Sequence, residues 1–204
     1  MASKIEMVFP SYIARGSVSG FARLNRELAR EIETLEEIDD HGRDWSRENY
    51  QGGYSSYSSL TRLHQTSPNF AELETKLRPH VARFVKALKW DLRGRKLTMT
   101  TCWANSMGRG THHTMHTHPL CVLSGVYYVT APAGSSPLKL EDPRLGLLMA
   151  APPRKASAPA REQNYLKIPA QAGHFVLFES WLRHEVPPHR GVKPRLSISF
   201  NYEI

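Results

Sequence analysis

The sequence predicts an α+β fold in which helices back one face of an antiparallel barrel or sandwich. Three observations carry that expectation. Two segments before residue 90 repeat apolar side chains at steps of three and four. After Trp90 the pattern changes to short β-branched and aromatic runs bounded by Gly, Pro, Asn and Ser. A chain of 204 residues, 40% hydrophobic and 23% charged, suits one domain with its own core and argues against disorder.

Residues 17–40 form the first predicted helix. Phe21, Leu24, Leu28, Ile32, Leu35 and Ile38 make one apolar stripe, with Arg and Glu at ion-pair spacings on the other face. Residues 41–66 are polar and rich in Gly, Ser and Tyr; they read as a loop held onto the domain by a tryptophan and three tyrosines. His41 and His64 within it read as surface residues. Ser67 then caps a second helix, with Pro68 in its first turn. Its stripe is Phe70, Leu73, Leu77, Val81, Phe84, Val85 and Leu88, and Pro79 inside it predicts a kink or break near Arg78. His80 reads as an ordinary helix residue. Strands are predicted at 97–106, 121–130, 174–180 and 195–201, and more weakly at 165–168. The Pro/Ala-rich stretch 142–163 reads as a long surface excursion. The expectation is a single domain over 1–204, with a helical support region at 17–90 and a sheet core at 95–204.

The net charge of +8 first suggests nucleic acid or acidic small molecules. Residues 1–50, however, carry seven Lys/Arg against ten Asp/Glu, whereas 144–195 carry nine against three Glu. The positive charge is therefore C-terminal, and it lacks the interleaved aromatics of a single-strand binder. Attraction of a small anion fits better than nucleic-acid binding. No run reaches the roughly 18 apolar residues of a membrane helix, and the N-terminus lacks a signal-peptide core. Cys102 and Cys121 cannot form a disulfide framework. These features point to the cytoplasm; a homodimer stays open.

Chemistry concentrates in THHTMHTHP, which places His112, His113, His116 and His118 within seven residues. On a strand, His116 and His118 would share a face and could meet one ion. The pair alone suits a solvated loop equally well. His184, just after an apolar strand, is the best third ligand. Arg195 follows eleven positions later, with Ser197 two further on and on the same face of a strand. Arg plus a hydroxyl at that spacing can clamp a carboxylate; the bland reading of Arg195 is a surface cation on an edge strand. Tyr127 and Tyr128 alternate faces, so one belongs to the core and only one can reach the site. His112 and His113 read as exposed, the alternative being that they orient the ligating histidines from behind, and His174 and His189 read as non-ligands.

These residues resemble those of the double-stranded β-helix oxygenases that use Fe(II) and 2-oxoglutarate, and most closely a bacterial and phage branch of them. The matching stretches are W-A-N (103–105), H-T-H-P (116–119), L-S-G-V-Y-Y-V (123–129), E-D-P-R (141–144), residues 169–188 and R-L-S-I-S-F-N (195–201), with G-G-Y-S-S-Y (52–57) before them. The resemblance covers about residues 50–204. It implies a jelly-roll, cupin-like barrel as catalytic core and a dioxygenase that couples decarboxylation of 2-oxoglutarate to succinate with hydroxylation of a substrate. It implies iron held by His116, His118 and His184, and the far carboxylate of 2-oxoglutarate held by Arg195, Ser197 and Tyr128. Asn105 matches more loosely as a cosubstrate or substrate contact. His118 departs from the family pattern, which has Asp there; if it pointed away, Asp142 or Glu185 could serve. Three neutral imidazoles leave the metal more positive than a carboxylate triad does. Two other readings stay open: a cupin-like metal-dependent dioxygenase that needs no 2-oxoglutarate, and a non-catalytic barrel that binds a metal or an anion. The substrate is not encoded in any recognisable motif.

Overall fold

The computed structural model describes residues 2–204. The chain runs β1 (Ile13–Ser17), α1 (Phe21–Ile38), α2 (Asp40–Asn49), β2 (Gly53–Ser55), α3 (Leu63–Thr66), α4 (Pro68–Leu88), β3 (Thr98–Met107), β4 (His113–His116), β5 (Leu123–Tyr128), β6 (Leu138–Glu141), α5 (Gly146–Ala150), β7 (Tyr165–Ile168), β8 (His174–Glu179), β9 (His184–Val186) and β10 (Arg195–Glu203). The strands form two antiparallel sheets, ordered β1-β8-β5-β10-β3-β2 and β4-β9-β6-β7. The α+β expectation holds. Among the described residues, no helix is long and apolar enough to cross a membrane.

Alternation along the strands of the large sheet sorts side chains into two layers. Phe175, Leu177, Leu196, Ile198, Phe200 and Tyr127 face the helices, where they bury with Leu24, Leu28 and Ile32 of α1 and Phe70, Leu73 and Leu77 of α4. Val176, Phe178, Tyr128 and Met107 face the other way and bury against Leu138, Leu140, Ile168 and Val186 of the small sheet. Gly125 is required between these layers: a Cβ there would lie 2.4 Å from the Phe200 ring.

Several expectations are corrected. Residues 41–66 are not a loop: they hold α2, β2 and α3. Their order comes from polar side chains. Asp39 caps α2 by accepting from the Gly42 N–H (3.0 Å) and also accepts from the Tyr54 hydroxyl (2.9 Å) and Ser59. That network leaves no apolar period to read. His64 is buried, with Nε2 3.0 Å from the Met99 carbonyl. β1 was not anticipated, because its IARGS sequence has little strand character; its pairing with β8 supplies the ladder. Helix α4 runs without a break through Pro79. Leu73, Leu77, Val81 and Phe84 are buried on both sides of the proline, and that packing outweighs a penalty of about 3 kcal/mol. The predicted strands correspond to β3, β5, β7, β8 and β10, whereas β6 and β9 are too short to show alternation. Residues 142–163 lie on the surface, with Met149 of α5 exposed.

Candidate metal centre

Three histidines converge at one end of the space between the sheets. His116 and His184 are register partners across β4 and β9, the closest cross-strand relationship a sheet offers. His118 lies just past the end of β4, so the same-face rule for strands does not apply to it. The short stretch between β4 and the turn at 119–120 delivers it instead, pinned by the His118 N–H to the Ser180 carbonyl (3.1 Å) after β8. One ring nitrogen from each histidine lies within 4.8 Å of the others, and Nε2 of His118 is 3.2 Å from Nε2 of His184.

The protonation of the cluster follows from its surroundings. Nδ1 of His116 lies 2.6 Å from the Thr114 carbonyl, and Nδ1 of His184 lies 2.8 Å from the Leu182 carbonyl. Each therefore donates from Nδ1 and presents Nε2 as a lone pair, the tautomer that a metal requires. Burial, reinforced by His116, pushes His184 down to about 3 and His118 down to about 4. Neutral imidazoles are the ligating form. The His184 lone pair, facing His118 at 3.2 Å, calls for a shared proton or a cation between them. Three imidazoles suit iron, zinc, copper or nickel. Among the described residues no carboxylate joins the cluster. Asp142 pairs with Arg144 (2.7 Å) and Glu185 with Lys139 (2.7 Å), so neither stands in for His118.

A second element lies deeper between the sheets. Arg195 is 2% exposed, not the edge cation of the bland reading, because β10 is central in its sheet. Its Nη1 donates to the Ser136 carbonyl (2.9 Å), while Nε has no partner. No carboxylate among the described residues pairs with it. A lone buried guanidinium costs several kcal/mol unless something compensates its charge. The guanidinium lies 5.4 Å from the Tyr128 ring centre. Ser197 is buried and sits opposite Tyr128 in register. The Tyr128 hydroxyl is buried without a partner; Tyr127 faces the helices and donates to Asn25 (2.5 Å). The two tyrosines thus face opposite sides of the sheet, Tyr127 in the helix-side core and Tyr128 in the layer between the sheets. Asn105 lines the same layer, where it accepts from Ser55 (2.9 Å) and donates to Ser199 (3.2 Å).

Sequence reasoning missed two residues here. His113 is not exposed: its ring stacks on Tyr50, with centres 4.4 Å apart and planes 25° apart. Burial, with help from the positive charge of Arg195, pushes it down to about 3. Tyr50 is 2% exposed and its hydroxyl has no partner. Nothing in the local sequence marks either residue, since both depend on α2 folding against β4. His112 is exposed as expected.

Comparison with known proteins agrees with this arrangement. Residues 101–201 match the family described as "Putative 2OG-Fe(II) oxygenase". No curated protein matches the sequence. Among solved structures, a Pseudomonas putida prolyl-4-hydroxylase aligns over 95% of this chain and 94% of its own, at 16% identity and a TM-score of 0.61. HygX from Streptomyces hygroscopicus, solved with nickel, 2-oxoglutarate and hygromycin B, aligns over 95% and 83%, at 12% identity and 0.64. The epimerase SnoN, solved with Fe3+, alpha ketoglutarate and nogalamycin RO, aligns over 95% and 79%, at 13% and 0.62. At these identities the likeness is one of fold. It is the family match that marks the chain as an oxidoreductase, and the three histidines form its candidate metal site. The chain belongs to the 2OG-Fe(II) oxygenase family.

Proposed function

We propose that the chain is an Fe(II)- and 2-oxoglutarate-dependent dioxygenase that hydroxylates a substrate C–H bond, on the double-stranded β-helix scaffold of its family. The observation that carries this reading is the convergence of His116, His118 and His184 within 4.8 Å, all able to present neutral nitrogens. These three residues would hold the metal, which when bound supplies oxygen activation. The rest is the work of the protein. Arg195, with Ser197 and Tyr128, binds the far carboxylate of 2-oxoglutarate and so fixes which end of the molecule faces the histidines. Burial of that pair excludes water and strengthens the attraction. The carbonyls of Thr114 and Leu182 hold His116 and His184 in the ligating tautomer.

The test is direct. Wild-type protein loaded with Fe(II) should release succinate from 2-oxoglutarate. Arg195→Met should weaken 2-oxoglutarate binding by about a hundredfold, the scale for losing one partner of a buried charged pair, while leaving metal binding intact. An unchanged affinity in Arg195→Met would overturn the cosubstrate assignment. The absence of a carboxylate from the cluster favours a second reading, oxidation without a keto acid. Oxygen uptake that saturates with no keto acid present would select that reading.

A further inference from the structure

Three buried groups at the layer between the sheets lack partners and are able to donate. The Arg195 Nε–H and the hydroxyls of Tyr128 and Tyr50 are buried without a hydrogen-bond partner. Each of the three is a donor, and no acceptor among the described residues answers them. A carboxylate is an acceptor on both oxygens and complements such a set. Tyr50 shares a buried cluster with Tyr128 and Met107, and its ring is held flat against His113. It arrives from the C-terminal end of α2, far outside the 101–201 stretch that the family model covers.

Resting on the reading proposed above, we infer that Tyr50 is a specificity-determining residue: its phenol donates to the far carboxylate of the keto acid, alongside Arg195 and Tyr128. The N-terminal region therefore completes the cosubstrate site as well as supporting the sheet. Burial raises the Tyr50 phenol well above its ordinary range, so it keeps its proton and stays a donor at any working pH. A purely structural tyrosine would give a different result on truncation. Its hydroxyl lacks a partner, so Tyr50→Phe removes a buried, unsatisfied group and should leave the melting temperature unchanged or raised. The loss should appear in ligand binding alone.

The experiment is calorimetric titration of nickel-loaded wild-type and Tyr50→Phe protein with 2-oxoglutarate and with 2-oxopentanoate, which has the same chain but no far carboxylate. The expected result is a Kd for 2-oxoglutarate about tenfold higher in Tyr50→Phe, as for one hydrogen bond to a charged group. The Kd for 2-oxopentanoate should stay within about twofold of wild type. Unchanged 2-oxoglutarate affinity, or equal weakening of both keto acids, would overturn the assignment. Wild-type protein that binds neither acid would overturn the cosubstrate reading itself, and the role of Tyr50 with it.

Discussion

The two faces of the large sheet are made by the same strands and serve opposite ends. Along β10, Leu196, Ile198, Phe200 and Tyr202 point at the helices, while Arg195, Ser197, Ser199 and Asn201 alternate with them toward the small sheet. The helix face is almost wholly apolar and is where burial stabilises the fold. The space on the other side, between the two sheets, receives the Arg195 guanidinium and the Tyr128 hydroxyl from the large sheet, the imidazoles of His116 and His184 from the small sheet, and His118 and Tyr50 from the segments beside them. Groups of that kind lower stability unless a ligand compensates them. The helix side, where the Tyr202 hydroxyl and His64 Nδ1 are also unpaired, offsets such costs with its larger apolar core and so supports the unsatisfied groups between the sheets.

Substitutions on the two faces should therefore fail differently. The largest effect is expected from His184→Ala, which removes a ligand nitrogen. Metal affinity should fall by more than about a hundredfold, beyond the range for outer-sphere changes, and turnover should vanish while the melting curve of the metal-free protein barely moves. Metal titration with calorimetry checks both. On the helix face Phe70→Ala should do the reverse. It should lower stability by about 3–5 kcal/mol, the range for emptying a fully buried aromatic site. In the fraction that stays folded, metal affinity should be unchanged, as read from urea unfolding and titration below the transition.

Acid should act chiefly through the polar face. In the fold His113 and His184 sit near 3 and His118 near 4, against an ordinary 6.5. His64, on the helix side, is lowered by burial with the same sign. Between those values the unfolded chain binds protons that the fold refuses. The metal-free protein should therefore lose stability as pH falls from about 6.5 toward 4, with the slope levelling off below about 3. Urea midpoints at a series of pH values measure this, and His113→Phe should flatten part of the slope. A midpoint independent of pH across that window would contradict the burial of these rings.

The smallest contrast involves neighbours. Tyr127→Phe loses a hydrogen bond to Asn25 and should cost about 1 kcal/mol. Tyr128→Phe, one residue on, removes a hydroxyl with no partner and should leave the melting temperature unchanged or raised, yet weaken 2-oxoglutarate binding. Differential scanning calorimetry of the two variants side by side would show it.

Much of this was legible in residue order. The stripes of α1 and α4, the long strands and the alternation of Tyr127 and Tyr128 follow from periodicity, a local property. His116, His118 and His184 could be nominated because four of the ten histidines crowd into seven residues and His184 follows an apolar strand, although the delivery of His118 by a segment past the end of β4 was not foreseen. The ordered 41–66 segment stayed hidden because side-chain hydrogen bonds from Asp39 and Ser46 hold it, and these leave no periodic trace.

Residue order alone settled which side chains lie on each face of the long strands β3, β5, β8 and β10 and which chemistries were present to be used, because backbone geometry imposes a period of two on any strand. It could not settle that Arg195 would be buried without a carboxylate, that His113 would stack on Tyr50, or that a helix from the N-terminal region would bring a phenol into that layer. Those outcomes depend on contacts between segments far apart in the chain. Such contacts form because burying apolar surface between the two sheets and the helices draws the segments together, whatever the local propensities of the residues carried along.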